Sequence, residues 1–107
     1  MKLLFICGNG VSSSMIAMKT AQAGRKLGFD VDSEANSYAQ LSEFVDEFDI
    51  VMVAPQVKFN ENIISEICEE HHKKYVMIDP LAYASLNGNK VFGQVQEALG
   101  LPERGDN

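Results

Sequence analysis

The sequence predicts an α/β fold: a three-layer sandwich in which a four-stranded parallel sheet carries helices on both faces. Two observations lead to this expectation. Short apolar segments of strand length alternate four times with segments of helical periodicity. Glycine or proline follows most of the apolar segments and ends them. Such alternation favours parallel strands joined by right-handed crossovers, which place helices on both faces of the sheet.

The composition of the strand segments predicts their order. The first, KLLFIC, is apolar after its lysine, as expected for a strand covered on both faces. The second, FDVDSEA, alternates apolar and polar residues, which is typical of an edge strand. These features favour the order 2-1-3-4. The predicted strands are Lys2–Cys7, Phe29–Ala35, Asp49–Ala54 and Lys74–Asp79.

Apolar residues recur with the period of a helix between and after the strands. In the first helical segment, Met15, Ala21 and either Met18 or Ala17 are expected to face the core. The segment Leu81–Asn89 is predicted to be a loop or a short turn. The predicted helices are Ser14–Leu27, Tyr38–Phe48, Phe59–His72 and Lys90–Leu99.

Size, charge and cysteine content exclude several classes of function. The 107 residues are expected to form one domain over 1–102, with 103–107 as a frayed tail. A net charge of −6 argues against nucleic acid or an anionic membrane surface as a partner. The opening MKLLFIC is too short for a secretory leader, and no apolar run is long enough to span a membrane. The expected location is the reducing cytoplasm, with both cysteines unpaired.

The predicted strand order brings three segments to one end of the sheet. The winding direction reverses between the first and third strands, and ligands bind beyond the carboxyl ends of strands at such a reversal. Cys7, Ala54–Gln56 and the residues after Asp79 all follow carboxyl ends. The stretch ICGNGVSSSM, residues 6–15, therefore lies where this architecture places its chemistry.

The loop after Cys7 has the composition of an anion site. Glycine and asparagine there allow backbone N–H groups to converge at a helix N-terminus, which binds dianions and stabilises a thiolate. The serines add hydroxyl donors, and one of them is expected to cap the helix. We therefore expect Cys7 to be a nucleophile that acquires a phosphoryl group. The expected phosphate-binding residues are Gly8, Asn9, Gly10, Val11, Ser12, Ser13 and Ser14.

Simpler interpretations remain open at this point. A cysteine at a strand end is often a small buried apolar residue, and glycine-rich loops are often only turns. The chain could then be a non-catalytic anion-binding or regulatory domain. Cys68 is expected to pack in the core, and a Cys7–Cys68 redox pair is a second alternative. Tyr83 is expected either to line the cleft above Cys7 or merely to cover the end of the sheet.

Part of the sequence resembles the low-molecular-weight protein tyrosine phosphatases and their arsenate reductase relatives. Their loop runs cysteine, five residues, arginine, serine, and here Ser13 occupies the arginine position. No basic residue occurs between Lys2 and Lys19 to clamp a transferring phosphoryl group. Asp79–Pro80 resembles the acid of that family. A phosphatase-like enzyme with an atypical loop is therefore the alternative function.

The chain is more similar to the enzyme IIB component of the lactose/cellobiose/chitobiose class of the bacterial phosphoenolpyruvate-dependent sugar phosphotransferase system. Three blocks in order carry this resemblance. Departures from the family pattern are Val11 in place of methionine, and Ala54 and Ala84 in place of glycine. The blocks are Cys7, Gly10, Ser12, Ser13 and Ser14; Pro55, Gln56 and Val57; and Ile78, Asp79, Tyr83, Asn87, Gly88, Lys90 and Val91.

The resemblance implies a phosphoryl carrier in sugar uptake. The Cys7 thiolate would accept a phosphoryl group from a phosphohistidine of the IIA partner. It would pass that group to a sugar bound by the membrane IIC permease. The resemblance implies no metal or cofactor, and we expect a monomer that does not insert into the membrane. Residues expected to line the cleft or the docking surface are Met15, Gln56, Val57, Phe59 and Tyr83.

Overall fold

The computed structural model describes residues 1–8 and 12–102. The described residues form a four-stranded parallel sheet of order β2-β1-β3-β4, as predicted. The expectations for Asn9, Gly10, Val11 and the tail 103–107 lie outside the described residues. The strands are β1 (Lys2–Cys7), β2 (Asp32–Ser37), β3 (Ile50–Val53) and β4 (Lys74–Met77).

Helices cover both faces of this sheet, which confirms the three-layer prediction. The first core cluster lies between the sheet and helices α1 and α5, and the second lies between the sheet and α2 and α3. Strand β1 contributes to both clusters because its side chains alternate between faces. The helices are α1 (Ser14–Lys26), α2 (Leu41–Phe44), α3 (Glu61–Glu70), α4 (Pro80–Ala84) and α5 (Gly88–Leu99).

The predicted core face of α1 is confirmed at Ala21 and at the alternative Ala17 but is wrong at Met15 and Met18. Met15 and Met18 are 48% and 46% exposed, whereas Ala17 and Ala21 are buried. Helix α1 packs closely on α5 through small residues: a Cβ built on Gly24 would lie 2.6 Å from the Phe92 ring. This close approach leaves the larger methionine side chains on the outside of the helix.

Strand β2 is at the edge, as predicted, but begins and ends later than its predicted span Phe29–Ala35. The chain first turns back at Gly28, which has φ 95°, and the Phe29 amide donates to the Gly24 carbonyl. Phe29 then packs on Phe92, with ring centroids 5.4 Å apart. Pairing with β1 therefore begins only at Asp32.

One predicted helix is broken into shorter pieces, and another is shorter than predicted. The segment Tyr38–Phe48 consists of α2 between 3-10 turns at Tyr38–Gln40 and Val45–Glu47. A 3-10 turn at Pro55–Asn60 precedes α3, which begins later than predicted. None of the helices in the described part of the chain is long and apolar enough to cross a membrane.

Helix α4 occupies the start of the segment that was predicted to be a loop or short turn. Asp79 is its N-cap: the carboxylate oxygen Oδ1 accepts from the Leu81 amide at 2.9 Å. Pro80 occupies the first helical position, where its missing N–H costs no hydrogen bond. Helix α5 follows almost at once and ends at Gly100, whose φ is 65°.

Candidate functional site

The predicted site lies at the carboxyl end of β1, an interior strand. Cys7 is the last residue of β1 and is fully buried. The Ala54 amide donates to the Ile6 carbonyl at 2.9 Å, which joins the ends of β1 and β3 just before the loop begins. Helix α1 begins seven residues after Cys7, at Ser14. The structure therefore places the thiol at the reversal between β1 and β3, as predicted.

The first described residue of the loop is held by β2. Cys7 is opposite Ser37 in the parallel register. The Ser37 hydroxyl donates to the Gly8 carbonyl at 3.2 Å and accepts from the Ala39 amide at 3.2 Å. One serine thus links the loop, the end of β2 and the turn that follows it.

The other end of the loop is held by α4. The Tyr83 hydroxyl donates to the Ser12 carbonyl at 3.2 Å and lies 3.1 Å from the Ser13 hydroxyl. Tyr83 is half-buried, and its ring packs against the first core cluster. Tyr83 was expected either to line the cleft or to cover the sheet end, and it contacts the loop itself.

The serines at the start of α1 have different surroundings. Ser13 is fully buried and occupies the N-cap position, but its side chain makes no capping hydrogen bond. Its backbone (φ −95°, ψ 0°) differs from the extended conformation of a usual N-cap, so the side-chain cap expected from one of the three serines is not made at this position. Ser12 and Ser14 are exposed. The first turn of α1 carries no acidic residue, so nothing there offsets the helix dipole.

Exposed apolar residues follow three of the strands at this end of the sheet. Met15 belongs to α1, and Phe59, which is 83% exposed, follows β3. Leu81, at 78% exposed in α4, was missed in the sequence, although its position directly after Asp79–Pro80 at a strand end was the available signal. Gln56 is exposed in the turn after β3. Val57 is only 2% exposed and packs in the second core cluster, so it does not form part of a docking surface.

Asp79 does not have the properties of a general acid. Its hydrogen bond from the Leu81 amide lowers the pKa of the carboxyl, and Lys90, with Nζ 3.5 Å away, lowers the pKa further. A carboxyl group that donates a proton to a leaving group at neutral pH needs a raised pKa instead. Asp79 is therefore a helix cap, and its lowered pKa argues against the acid role that the phosphatase alternative gives it.

Cys68 lies apart from the loop, on α3. It is 1% exposed within the second core cluster, and burial raises the pKa of its thiol to about 11. By the alternation of β1, Cys7 follows Leu3 and Phe5 toward the opposite face of the sheet. Cys68 is thus a core residue, as expected, and this placement gives no support to a Cys7–Cys68 redox pair.

Comparison with known families identifies the chain. Residues 2–94 match the family described as "PTS system, Lactose/Cellobiose specific IIB subunit". The chain belongs to this family. IIB components are phosphoryl carriers with phosphotransferase activity, and they work with IIA and IIC components. The carrier function fits this IIB chain better than the phosphatase alternative.

Two curated proteins illustrate the range of the family. The oligo-beta-mannoside-specific EIIB component of Bacillus subtilis is 24% identical over 93 residues, covering 87% of this chain and 90% of that protein. The lactose-specific EIICB component of Streptococcus mutans is 33% identical over 58 residues, which cover 54% of this chain and 10% of the larger protein. As its name indicates, the Streptococcus mutans protein combines IIC and IIB components in one chain.

Solved structures of the family share the fold. The lactose-specific IIB domain of Streptococcus pneumoniae superposes with a TM-score of 0.81 at 19% identity, covering 92% of this chain and 96% of that one. The cellobiose-specific IIB component of Borrelia burgdorferi superposes with a TM-score of 0.76 at 31% identity, covering 97% and 95%. The sheet order derived from the sequence is thus the family's fold.

Proposed function

We propose that Cys7 carries the phosphoryl group during transfer. The observation that supports this most is the position of Cys7 at the carboxyl end of interior strand β1, directly before a glycine- and serine-rich loop and an α1 N-terminus without acidic residues. In the first step the P–N bond of a IIA phosphohistidine breaks as the S–P bond forms. In the second step the S–P bond breaks, and the phosphoryl group bonds to a sugar hydroxyl oxygen, which loses its proton.

The loop is proposed to hold the phosphoryl oxygens. Backbone N–H groups of residues 8–14 and the helix dipole of α1 attract a dianion. Ser12 and Ser14, both exposed, lie at or just before the start of that helix, and their hydroxyls are proposed as further donors. Since Cys7 is buried, docking of the phosphodonor must widen the approach to its sulfur. Ser13 stands where a phosphatase has its arginine, which favours a carrier that keeps its phosphoryl group over a hydrolase.

The exposed apolar residues around the loop are proposed to dock both partners in turn. Met15, Phe59 and Leu81 are exposed on the segments that follow β1, β3 and β4, and Gln56 and Tyr83 belong to the last two of these segments. A small apolar patch suits the weak, transient contacts of a carrier that exchanges partners. IIA and the IIC permease would use overlapping surfaces, because both must reach the same sulfur atom.

We further propose that the chain acts as a monomer in the cytoplasm. The donor and the sugar-loaded permease must each gain access to Cys7, and a second copy on this surface would block them. Sugar choice is assigned to the IIC permease. The relatives are named for oligo-beta-mannosides, lactose and cellobiose, and the proposed site meets only phosphate and protein.

Intact-mass measurement after incubation with the phosphorylated IIA partner tests the proposal. We expect a gain of one phosphoryl mass, mapped to the peptide that contains Cys7. Cys7→Ser should abolish the gain, because a serine hydroxyl is not ionised near neutral pH. The matched control is Cys68→Ala, which should be phosphorylated like the wild type. No mass gain, together with steady hydrolysis of an aryl phosphate, would favour the phosphatase alternative instead.

A further inference from the structure

Beyond the carrier cysteine, we propose that Tyr83 is a positioning residue for phosphoryl transfer. Its hydroxyl fixes the carboxyl-terminal end of the loop, and it engages the Ser13 hydroxyl, so that Ser13 holds the loop instead of binding the phosphoryl group. This inference rests on the proposed role of Cys7. The observation that carries it is the pair of contacts from the Tyr83 hydroxyl to the Ser12 carbonyl and the Ser13 hydroxyl.

The direction of both hydrogen bonds follows from the groups involved. The Ser12 carbonyl oxygen can only accept, and a tyrosine hydroxyl has one proton to donate. That proton therefore points to Ser12 at 3.2 Å. The Ser13 hydroxyl, 3.1 Å away, must then donate its own proton to the Tyr83 oxygen. The proton that Ser13 could have offered to a phosphoryl oxygen is already used.

Burial also distinguishes Ser13 from the neighbouring serines. Ser13 is fully buried, whereas Ser12 and Ser14 are exposed. A buried hydroxyl needs a partner, and Tyr83 supplies it. Of the three loop serines, Ser13 is therefore assigned a structural role, because it alone is buried and bonded to Tyr83.

Tyr83 stands on a segment that is itself fixed at both ends. At the start of α4, Asp79 caps the helix and lies 3.5 Å from Lys90 of α5. At its end, the Asn87 amide donates to the carbonyl of buried Ala82 at 2.9 Å. A residue on a segment tied in this way can hold a loop in place.

Gln94 of α5 ties the preceding chain segment to the same support. Its side-chain amide donates to the Met77 carbonyl at 3.0 Å and accepts from the Asp79 amide at 3.0 Å. These two bonds satisfy backbone groups at the end of β4, which is an edge strand of the sheet formed by the described residues. The end of β4, and hence the start of α4, is thereby fixed against α5.

The central test compares Tyr83→Phe with the wild type in transfer from the phosphorylated IIA partner. The substitution removes the hydroxyl and keeps the ring that packs on the core. We expect kcat to fall about tenfold, as for loss of a hydrogen bond that positions reacting groups, with KM unchanged. The matched control is Tyr75→Phe, which removes the hydroxyl that donates to Glu61 at 2.9 Å, and its kcat should stay at the wild-type value.

A double-mutant cycle with Ser13→Ala tests the assignment of Ser13. That variant keeps the bond from Tyr83 to Ser12, so kcat should fall only about twofold to threefold. The double variant Ser13→Ala/Tyr83→Phe should match Tyr83→Phe alone, since both changes remove the same contact. Tyr83→Phe alone leaves the buried Ser13 hydroxyl without its Tyr83 partner, so its unfolding temperature should fall. In the double variant that hydroxyl is absent, so the unfolding temperature should rise back toward the wild-type value while kcat stays low.

Three outcomes would overturn the inference. A raised KM with unchanged kcat in Tyr83→Phe would make Tyr83 a docking residue. An unchanged kcat and KM would leave it no role in transfer. A multiplied loss in the double variant would mean that Ser13 binds the phosphoryl group independently. All three differ from failure of the proposed function, in which the wild-type chain itself would gain no phosphoryl mass.

Discussion

Cys7 and Cys68 are both buried thiols outside any disulfide, yet their surroundings differ completely. Cys7 ends β1 and leads into a loop whose two ends are held by hydroxyls, that of Ser37 on Gly8 and that of Tyr83 on Ser12. Cys68 lies in the last turn of α3 among apolar residues, where burial raises the pKa of its thiol to about 11. Burial alone therefore does not distinguish a core cysteine from the proposed carrier cysteine. The position of Cys7 at a strand end, before a loop held by hydrogen bonds at both ends, does.

The largest expected effect that tests this contrast between Cys7 and Cys68 comes from a polar substitution at Cys68. Cys68→Ser puts a hydroxyl into an apolar cluster, and we expect a loss of about 1–3 kcal/mol in the free energy of unfolding. Chemical denaturation measures it. Cys68→Ala is the control and should be more stable than Cys68→Ser, although alanine fills less space. Equal stability of the two variants would show that the Cys68 site tolerates a polar group.

A smaller change in the free energy of unfolding is expected as the pH rises. The pKa of the Cys68 thiol is about 11 in the folded protein against an ordinary 9.0, so the folded state holds this proton more tightly. The resulting stabilisation is complete below about pH 9 and is lost as pH rises toward about 11. Between pH 9 and 10 the loss should be about 1 kcal/mol.

The contribution of Cys68 is isolated as the difference between wild type and Cys68→Ala in unfolding experiments across that pH range. Tyr75, whose pKa is raised mainly by its hydrogen bond with Glu61, is present in both proteins and largely cancels. Parallel curves for the two proteins would contradict the raised pKa of Cys68.

The smallest expected effect concerns the other end of the Cys7 loop. Ser37→Ala removes the hydroxyl that donates to the Gly8 carbonyl, and we expect kcat for phosphoryl transfer to fall about twofold to threefold. Ser33→Ala, on the same strand, is the control: it removes a hydroxyl that donates to the Ala17 carbonyl at 2.8 Å, away from the loop. A larger loss of kcat in Ser33→Ala than in Ser37→Ala would remove Ser37 from the support of the site.

Much of the fold was predictable because its signals are local. The apolar run that ends at Cys7 and the polar alternation of the second strand predicted an interior and an edge strand, and the structure confirms both. The short helix α4, which Asp79 caps through the Leu81 amide, was not predicted. Propensity is weak over five residues, and α4 depends on its packing against α5.

The placement of single side chains around the site depended on partners distant in sequence. Close packing of α1 on α5 at Gly24 turned Met15 and Met18 outward, against their apolar character. Val57, in an otherwise exposed turn, was drawn into the core.

The chain order of residues alone was sufficient to predict the strand order and to place Cys7 at the carboxyl end of β1, and the structure confirms both. Each of these rests on neighbours within a few positions or on the alternation of strands and helices. The hydrogen bonds of Tyr83 with Ser12 and Ser13 join residues about 70 positions apart, and no periodicity in the sequence predicts such a contact. It exists because the sheet brings the ends of β1 and β4 to the same side, and because Asp79 and Gln94 fix α4 there.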